Sequence, residues 1–135
     1  MSCNVGTYNA FHTAGAAKAL TASYVNGDTV QPARPCNTAR LLCTLAWGTA
    51  PTNARVKIFW TPDGTTWVPV SVVNSISAGV VSLGDGIFDL PVAAAGTHEI
   101  LANVPPGADL KCQAAMVDAG GSDPTLLAKF VLTDE

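Results

Sequence analysis

The side chains that could do chemistry are few. Among 135 residues stand two histidines, His12 and His98, and ten acids. A Ser-His-Asp set assembles in space, so spacing alone does not exclude one. Yet the Gly-x-Ser-x-Gly elbow that would expose a nucleophilic serine is absent. Asp28, Asp63, Asp85, Asp109, Asp118 and Asp123 fall in or beside turn-like stretches rich in Gly and Pro. Asp in such places usually bonds its own backbone. Gly84-Asp-Gly-Ile-Phe-Asp89 offers two carboxylates, whereas Ca²⁺ takes about six to eight oxygens. Neither a Walker A loop nor a dinucleotide glycine pattern occurs. The expectation is a protein that is not an enzyme, with no catalytic residues, no metal and no cofactor.

Four cysteines, Cys3, Cys36, Cys43 and Cys112, match no zinc spacing. Cys43 and Cys112 lie in apolar runs, where a free thiol behaves as a small hydrophobe. Four free thiols are expected, with a bridge from Cys3 or Cys36 as the alternative. Three tryptophans, Trp47, Trp60 and Trp67, could form a platform on which a sugar stacks. The competing reading is structural: Trp60 and Trp67 flank one turn and could pair across a hairpin, stabilising the sheet.

Something must position these residues, and the pattern that does so has a period of two. In Arg55-Val-Lys-Ile-Phe-Trp-Thr61, Val56, Ile58 and Trp60 alternate with Lys57, Phe59 and Thr61. Pro62-Asp63-Gly64 supplies turn chemistry and Thr66-Trp-Val-Pro-Val70 resumes strand composition, which predicts a β-hairpin. Further strands are expected at 20–25, 39–47, 87–92, 97–104, 109–117 and 125–133, separated by Gly, Pro and Asp clusters. Pro91 marks the 87–92 strand as an edge or bulge. No segment has a strong helical period. The fold class is therefore all-β: a single β-sandwich of about eight strands, jelly-roll-like or immunoglobulin-like. Residues 1–18 read as an extended N-terminal arm and 19–135 as the sandwich domain. The expected core is Leu41, Cys43, Leu45, Val56, Ile58, Trp60, Trp67, Val70, Phe88, Leu90, Ile100, Leu110, Cys112, Met116, Phe130 and Leu132.

Composition bears on partners. Charged residues make up only 13% of the chain and hydrophobic ones 48%, against roughly 25% charged in ordinary soluble domains. So thin a charged coat points to surface covered by a partner. The seven basic residues are scattered and the net charge is −3, which argues against nucleic acid. No apolar run approaches the roughly 20 residues of a membrane-spanning helix. The first residues lack the basic and apolar regions of a secretory signal, so the chain is expected to be made in a cytoplasm.

The segment from Val56 to Val70, with its core Trp60-Thr-Pro-Asp-Gly-Thr-Thr-Trp67, resembles a hairpin that recurs in structural proteins of tailed bacteriophages. The downstream order is similar: a Gly-rich turn, a short Leu-Pro strand, a strand closed by Pro105-Pro-Gly107, then two alternating strands. The resemblance spans residues 38–133. It implies a virion protein of the capsid decoration or cement type, bound to the outside of a phage head and stabilising it through intersubunit contacts. The implied partners are copies of itself, with a trimer as the expected homo-oligomer, and the major capsid protein; neither nucleic acid nor membrane is involved. Val5, Tyr8 and Phe11 of the arm are the candidate interface anchors, since aromatics are enriched at interface hot spots. Removing residues 2–14 is expected to weaken attachment and leave the sandwich folded. The alternative is a carbohydrate-binding β-sandwich module of a phage fibre or tail.

Overall fold

The computed structural model describes residues 3–32, 37–46, 54–70, 73–77, 80–90, 96–105, 108–116 and 124–134. Trp47, Cys36 and residues 48–53, 91–95 and 117–123, where turns were expected in part, lie outside them. The described residues form twelve strands and no helix. In chain order these are β1 (Cys3–Phe11), β2 (Lys18–Ala19), β3 (Val25–Asn26), β4 (Thr38–Ala46), β5 (Ala54–Thr61) and β6 (Val68–Pro69). Then come β7 (Val73–Ile76), β8 (Val81–Gly84), β9 (Ile87–Leu90), β10 (Gly96–Asn103), β11 (Asp109–Met116) and β12 (Thr125–Asp134).

Two six-stranded antiparallel sheets result. The first runs β1-β12-β4-β10-β7, with β2 also on β12; the second runs β3-β11-β5-β9-β8, with β6 also on β5. The pairing is nested: β1 with β12, β3 with β11, β4 with β10, β5 with β9. A long hairpin folded over on itself gives this scheme, which is the jelly roll. Of the two topologies the sequence left open, the immunoglobulin-like one is thereby excluded.

The core follows from strand register. On β4, Leu41, Cys43 and Leu45 face inward, and their partners are Ile100 and His98 on β10 and Phe130, Ala128 and Leu126 on β12. The second sheet answers with Val56 and Ile58 on β5, Leu110, Cys112 and Ala114 on β11, and Phe88 and Leu90 on β9. All of these except His98 are buried. Alternation with half-exposed neighbours holds along β9, β11 and most of β5, as one-face burial requires.

Several expectations are corrected. Residues 3–11 are no separate arm: β1 pairs with β12 from Cys3↔Asp134 to Phe11↔Ala128. Residues 20–25 do not form a strand. Leu20 is buried, its N–H donating to Pro124 O and the Met116 N–H donating to Thr21 O, as the chain passes from the first sheet to the second. β9 is interior, because β8 lies outside it. The hairpin after Thr61 exists, but its return strand is the two-residue β6, paired as Phe59↔Pro69 and Trp60↔Val68. β9 occupies the rest of that β5 edge, and Ile58 bridges the two: its N–H donates to Gly86 O and its carbonyl accepts from Val70 N–H. Trp60 and Met116 are only partly buried against the core, and Trp67 is outside it.

Candidate interaction surface

Of the groups that could have done chemistry, one histidine meets a carboxylate and the two described thiols lie in the core. In His12, Nδ1 accepts the Gly15 N–H at 2.8 Å, so Nε2 carries the ring proton and donates to Asp28 at 2.7 Å. No ring nitrogen is left to receive a proton from a nucleophile. His98 lies on the core-facing side of β10, opposite Cys43. Its Nε2 is buried without a hydrogen-bond partner among the described residues, and burial pushes its pKa down. Cys43 and Cys112 are free and fully buried. Burial, with each other's proximity a smaller cause, holds the Cys43 thiol well above its ordinary range; burial pushes Cys112 up to about 12. Thiols so placed stay protonated and inert. The side chain of Cys3 is not among those described. Among the described residues no three His, Cys, Asp or Glu side chains come together as a metal site.

The anchors expected in the arm are placed differently. Phe11 is fully buried in the chain's own core, with the Lys18 ammonium 5.2 Å from its ring centroid. It has no surface to offer a partner. Tyr8 is partly buried against the same core. For Val5 only the backbone, within β1, is described. A β-bulge explains why period two misread this stretch: register shifts between Asn9 and Phe11, so Ala10 and Phe11 are consecutive and both buried.

The sequence singled out no interface residue on the outer face of the second sheet. β5 turns Arg55, Lys57 and Phe59 outward, against Ala115, Gln113 and Lys111 of β11. Each cation is fixed by a neighbour. Arg55 Nε donates to Asp89 Oδ1 at 2.5 Å across the β5–β9 pair. Lys57 Nζ lies 3.9 Å from the Tyr24 ring centroid. Lys111 Nζ lies 4.5 Å from the Trp67 ring and 5.6 Å from Phe59. Trp67 therefore stands on this outer face, while Trp60 packs toward the core, and the cross-strand tryptophan pair is not formed. Lys111 covers one face of the Trp67 ring, and Trp47, the third tryptophan of the expected platform, lies outside the described residues. The result is an aromatic surface whose cations each have a neighbour. A sequence signal existed in the regular Arg55-x-Lys57-x-Phe59 spacing, but Tyr24 and Trp67 arrive from loops that no periodicity locates.

The loop that delivers Trp67 is built on Asp63. One carboxylate oxygen, Oδ1, accepts N–H bonds from Thr66 at 2.6 Å and Thr65 at 2.8 Å, and the Thr61 hydroxyl accepts Gly64 N–H at 2.9 Å. These donors, Thr66 first, hold the Asp63 carboxyl well below the usual carboxylate range. Pro62-Asp63-Gly64 thus acts as the sequence predicted, as a self-bonded turn.

The fold defines the class: a jelly-roll β-sandwich of two stacked antiparallel sheets, an architecture found in viral capsid and lectin domains among others. No protein-family model and no curated protein matches the sequence. Among solved structures, the SPBc2 prophage-derived protein YomS superposes with a TM-score of 0.53 over 98% of this chain and 95% of that one, at 8% identity. At that identity the likeness is one of fold.

Proposed function

We propose that this chain is a structural protein of a tailed phage, a decoration protein that sits on the outside of the head and braces it. One observation carries the reading: the fold is shared, over nearly the whole of both chains, with a prophage-derived protein. The residues support it. Only 13% are charged, and the outer face of the second sheet joins Trp67, Tyr24 and Phe59 to Lys111, Lys57 and Arg55. Trp, Tyr and Arg are the residue types enriched at interface hot spots. Their cations are already oriented, which lowers the ordering cost of a contact. The major capsid protein is the proposed partner of this face. A stable contact needs about 1,200–2,000 Å² of total buried area, and the outer face of a six-stranded sheet is a suitable floor for it.

The test is reconstitution. Purified chain is mixed with phage heads lacking it, and occupancy is read by cosedimentation and imaging. Saturable occupancy is expected, with loss of binding in Lys111→Glu and Trp67→Ala variants that remain folded. No binding to heads, or recovery of the chain from tails alone, overturns the reading.

A further inference from the structure

Three Asx-Gly steps occur in the chain: Asn26-Gly27, Asp63-Gly64 and Asp85-Gly86. At each the backbone can react with itself, because a glycine nitrogen is the least hindered nucleophile the main chain offers. It attacks Cγ of the preceding residue and closes a succinimide ring. Leaving-group chemistry alone ranks Asn26 first, since an amide loses ammonia more readily than a carboxyl loses water. The fold reverses that ranking.

Asn26 is locked. It lies in β3 opposite Gln113, whose Nε2 donates to Asn26 Oδ1 at 2.6 Å. The Gly27 N–H donates to Cys112 O at 2.8 Å, and Gly27 sits so close to the first sheet that a Cβ there would meet Ala10 O at 2.1 Å. Turning this nitrogen toward Cγ requires the side of the sandwich to open locally. Asp63 is held in another way. The Thr65 and Thr66 N–H groups donate to its Oδ1, and the Gly64 N–H donates to the Thr61 hydroxyl. Those donors keep the carboxyl ionised, whereas loss of water needs it protonated. Asp85 has neither restraint. It is exposed, and among the described residues neither its carboxyl nor the Gly86 N–H has a hydrogen-bond partner.

Backbone geometry at Asp85 also suits the ring. Gly84 pairs with Ile87, so Asp85 and Gly86 are the central residues of a hairpin turn, and their φ of 53° and 72° make it type I′. Closing a succinimide fixes ψ of the aspartate at about −120°, which with positive φ is the first central position of a type II′ turn. One flip of the peptide plane between Asp85 and Gly86 takes I′ to II′, and Gly86 has no side chain to oppose it. We propose that Asp85 is the site at which the folded chain isomerises its own backbone. Gly86 N bonds to Asp85 Cγ and one water leaves. Water then adds to the Asp85 main-chain carbonyl carbon, the bond from that carbon to Gly86 N breaks, and the chain runs on through Cβ and Cγ as isoaspartate. Water is the only other reactant. The product puts one more carbon into a loop whose length sets the β8–β9 register. It also displaces Gly86 O from the Ile58 N–H, and Ile58 is the buried residue at which β6 and β9 share β5. The step needs no partner, so it stands apart from the decoration reading.

The test is ageing of the full chain in warm, mildly acidic buffer, with a second sample held unfolded in urea. Peptide mapping by mass spectrometry and labelling by an isoaspartyl methyltransferase locate the product. The folded chain should carry isoaspartate at Asp85, preceded by a peptide lighter by one water, with Asn26 and Asp63 intact; the unfolded chain should convert Asn26 first. Asp85→Asn keeps a permitted type I′ turn and gives both positions the same Asn-Gly chemistry, so position alone ranks them. In that folded variant deamidation should run at least about tenfold faster at position 85 than at Asn26, which waits for local opening. Asp85→Gly also keeps the turn type; it should gain no label when folded, and should hold its melting temperature on ageing while that of the parent falls. Conversion at Asn26 or Asp63 ahead of Asp85 in the folded chain overturns the proposal, as do equal rates at the two positions of Asp85→Asn. An aged parent that carries isoaspartate at Asp85 yet melts like fresh protein overturns the predicted damage to the second sheet.

Discussion

Phe11→Ala is the perturbation that decides whether the first strand belongs to the sandwich. The ring is fully buried and its residue pairs with Ala128 in the β1–β12 ladder. A buried phenylalanine removes about 150–250 Å² from water, which at about 25 cal/mol per Å² is roughly 4–6 kcal/mol. That figure is an upper bound, because the unfolded chain is partly compact; measured Phe→Ala changes in cores run about 3–5 kcal/mol. Domains of this size are stable by only about 5–15 kcal/mol. The variant should therefore melt roughly 10–20 °C below the parent, at about 3–5 °C per kcal/mol for this length. The assay is thermal melting by circular dichroism, with a urea titration to show an unchanged slope. Deleting residues 2–14 removes the whole pairing as well as the ring and should abolish cooperative melting, against the sequence expectation that the sandwich survives truncation. A Phe11→Ala melt within about 2 °C of the parent, or a truncated chain that still melts cooperatively, would refute the placement of β1 in the core.

Other outcomes follow from single residues. Gly27→Ala places a Cβ 2.1 Å from Ala10 O, so the side of the sandwich closed by this segment must open; a loss of about 1–3 kcal/mol or more is expected in urea unfolding, and parent-like stability would contradict the closure. His98 is held neutral by burial, with its pKa below the ordinary 6.5. The unfolded chain binds that proton first, so the contribution of His98 is fully present above about pH 6.5 and declines as pH falls through the window beneath it; His98→Leu should flatten the urea midpoint between pH 7 and 5.5, and an unchanged pH slope counts against it. Asp63→Ala should lower the melting temperature at neutral pH. Because the folded pKa is depressed, that deficit should hold above the unfolded value of about 3.8 and narrow as pH falls below it; a deficit that grows in acid has the wrong sign. Trp67→Ala should cost about 1 kcal/mol, from a half-exposed ring and one cation–π contact, and a loss of 3 kcal/mol or more would put the ring back in the core.

The fold was legible wherever one face of a strand is buried and the other is wet. β4, β5, β11 and β12 largely obey that condition, and apart from the strand-end residues Trp60 and Met116, which are only partly buried, their expected core residues are buried because each step of two returns to the same face. It failed where the backbone leaves period two. The bulge before Phe11 puts two successive residues inside, so a strand looked like an arm. Leu20 to Gly27 crosses between sheets and is held by backbone bonds to Pro124, Met116 and Cys112, which leave no side-chain signature. Trp67 was read as core on the strength of its size, yet a ring can equally cover a lysine stem on the wet face. The candidate surface was half legible: Arg55, Lys57 and Phe59 alternate in plain sight, but their partners Asp89, Tyr24 and Trp67 are distant in sequence.

The hairpin that carries the phage resemblance also builds the face proposed as the contact. Its turn, self-bonded through Asp63, projects Trp67 onto the outer face of the second sheet, where the ring meets Lys111 of β11. Trp67 is thus placed by bonds local to one turn, whereas the backbone of Lys111 is held by the β5–β11 ladder. If that face binds heads, Asp63→Ala should weaken binding by freeing the Trp67 loop, and Lys111→Glu should weaken it by reversing a charge in a face whose aromatic and cationic residues are of the hot-spot type. Equal head occupancy by the parent and both variants would move the contact off this face.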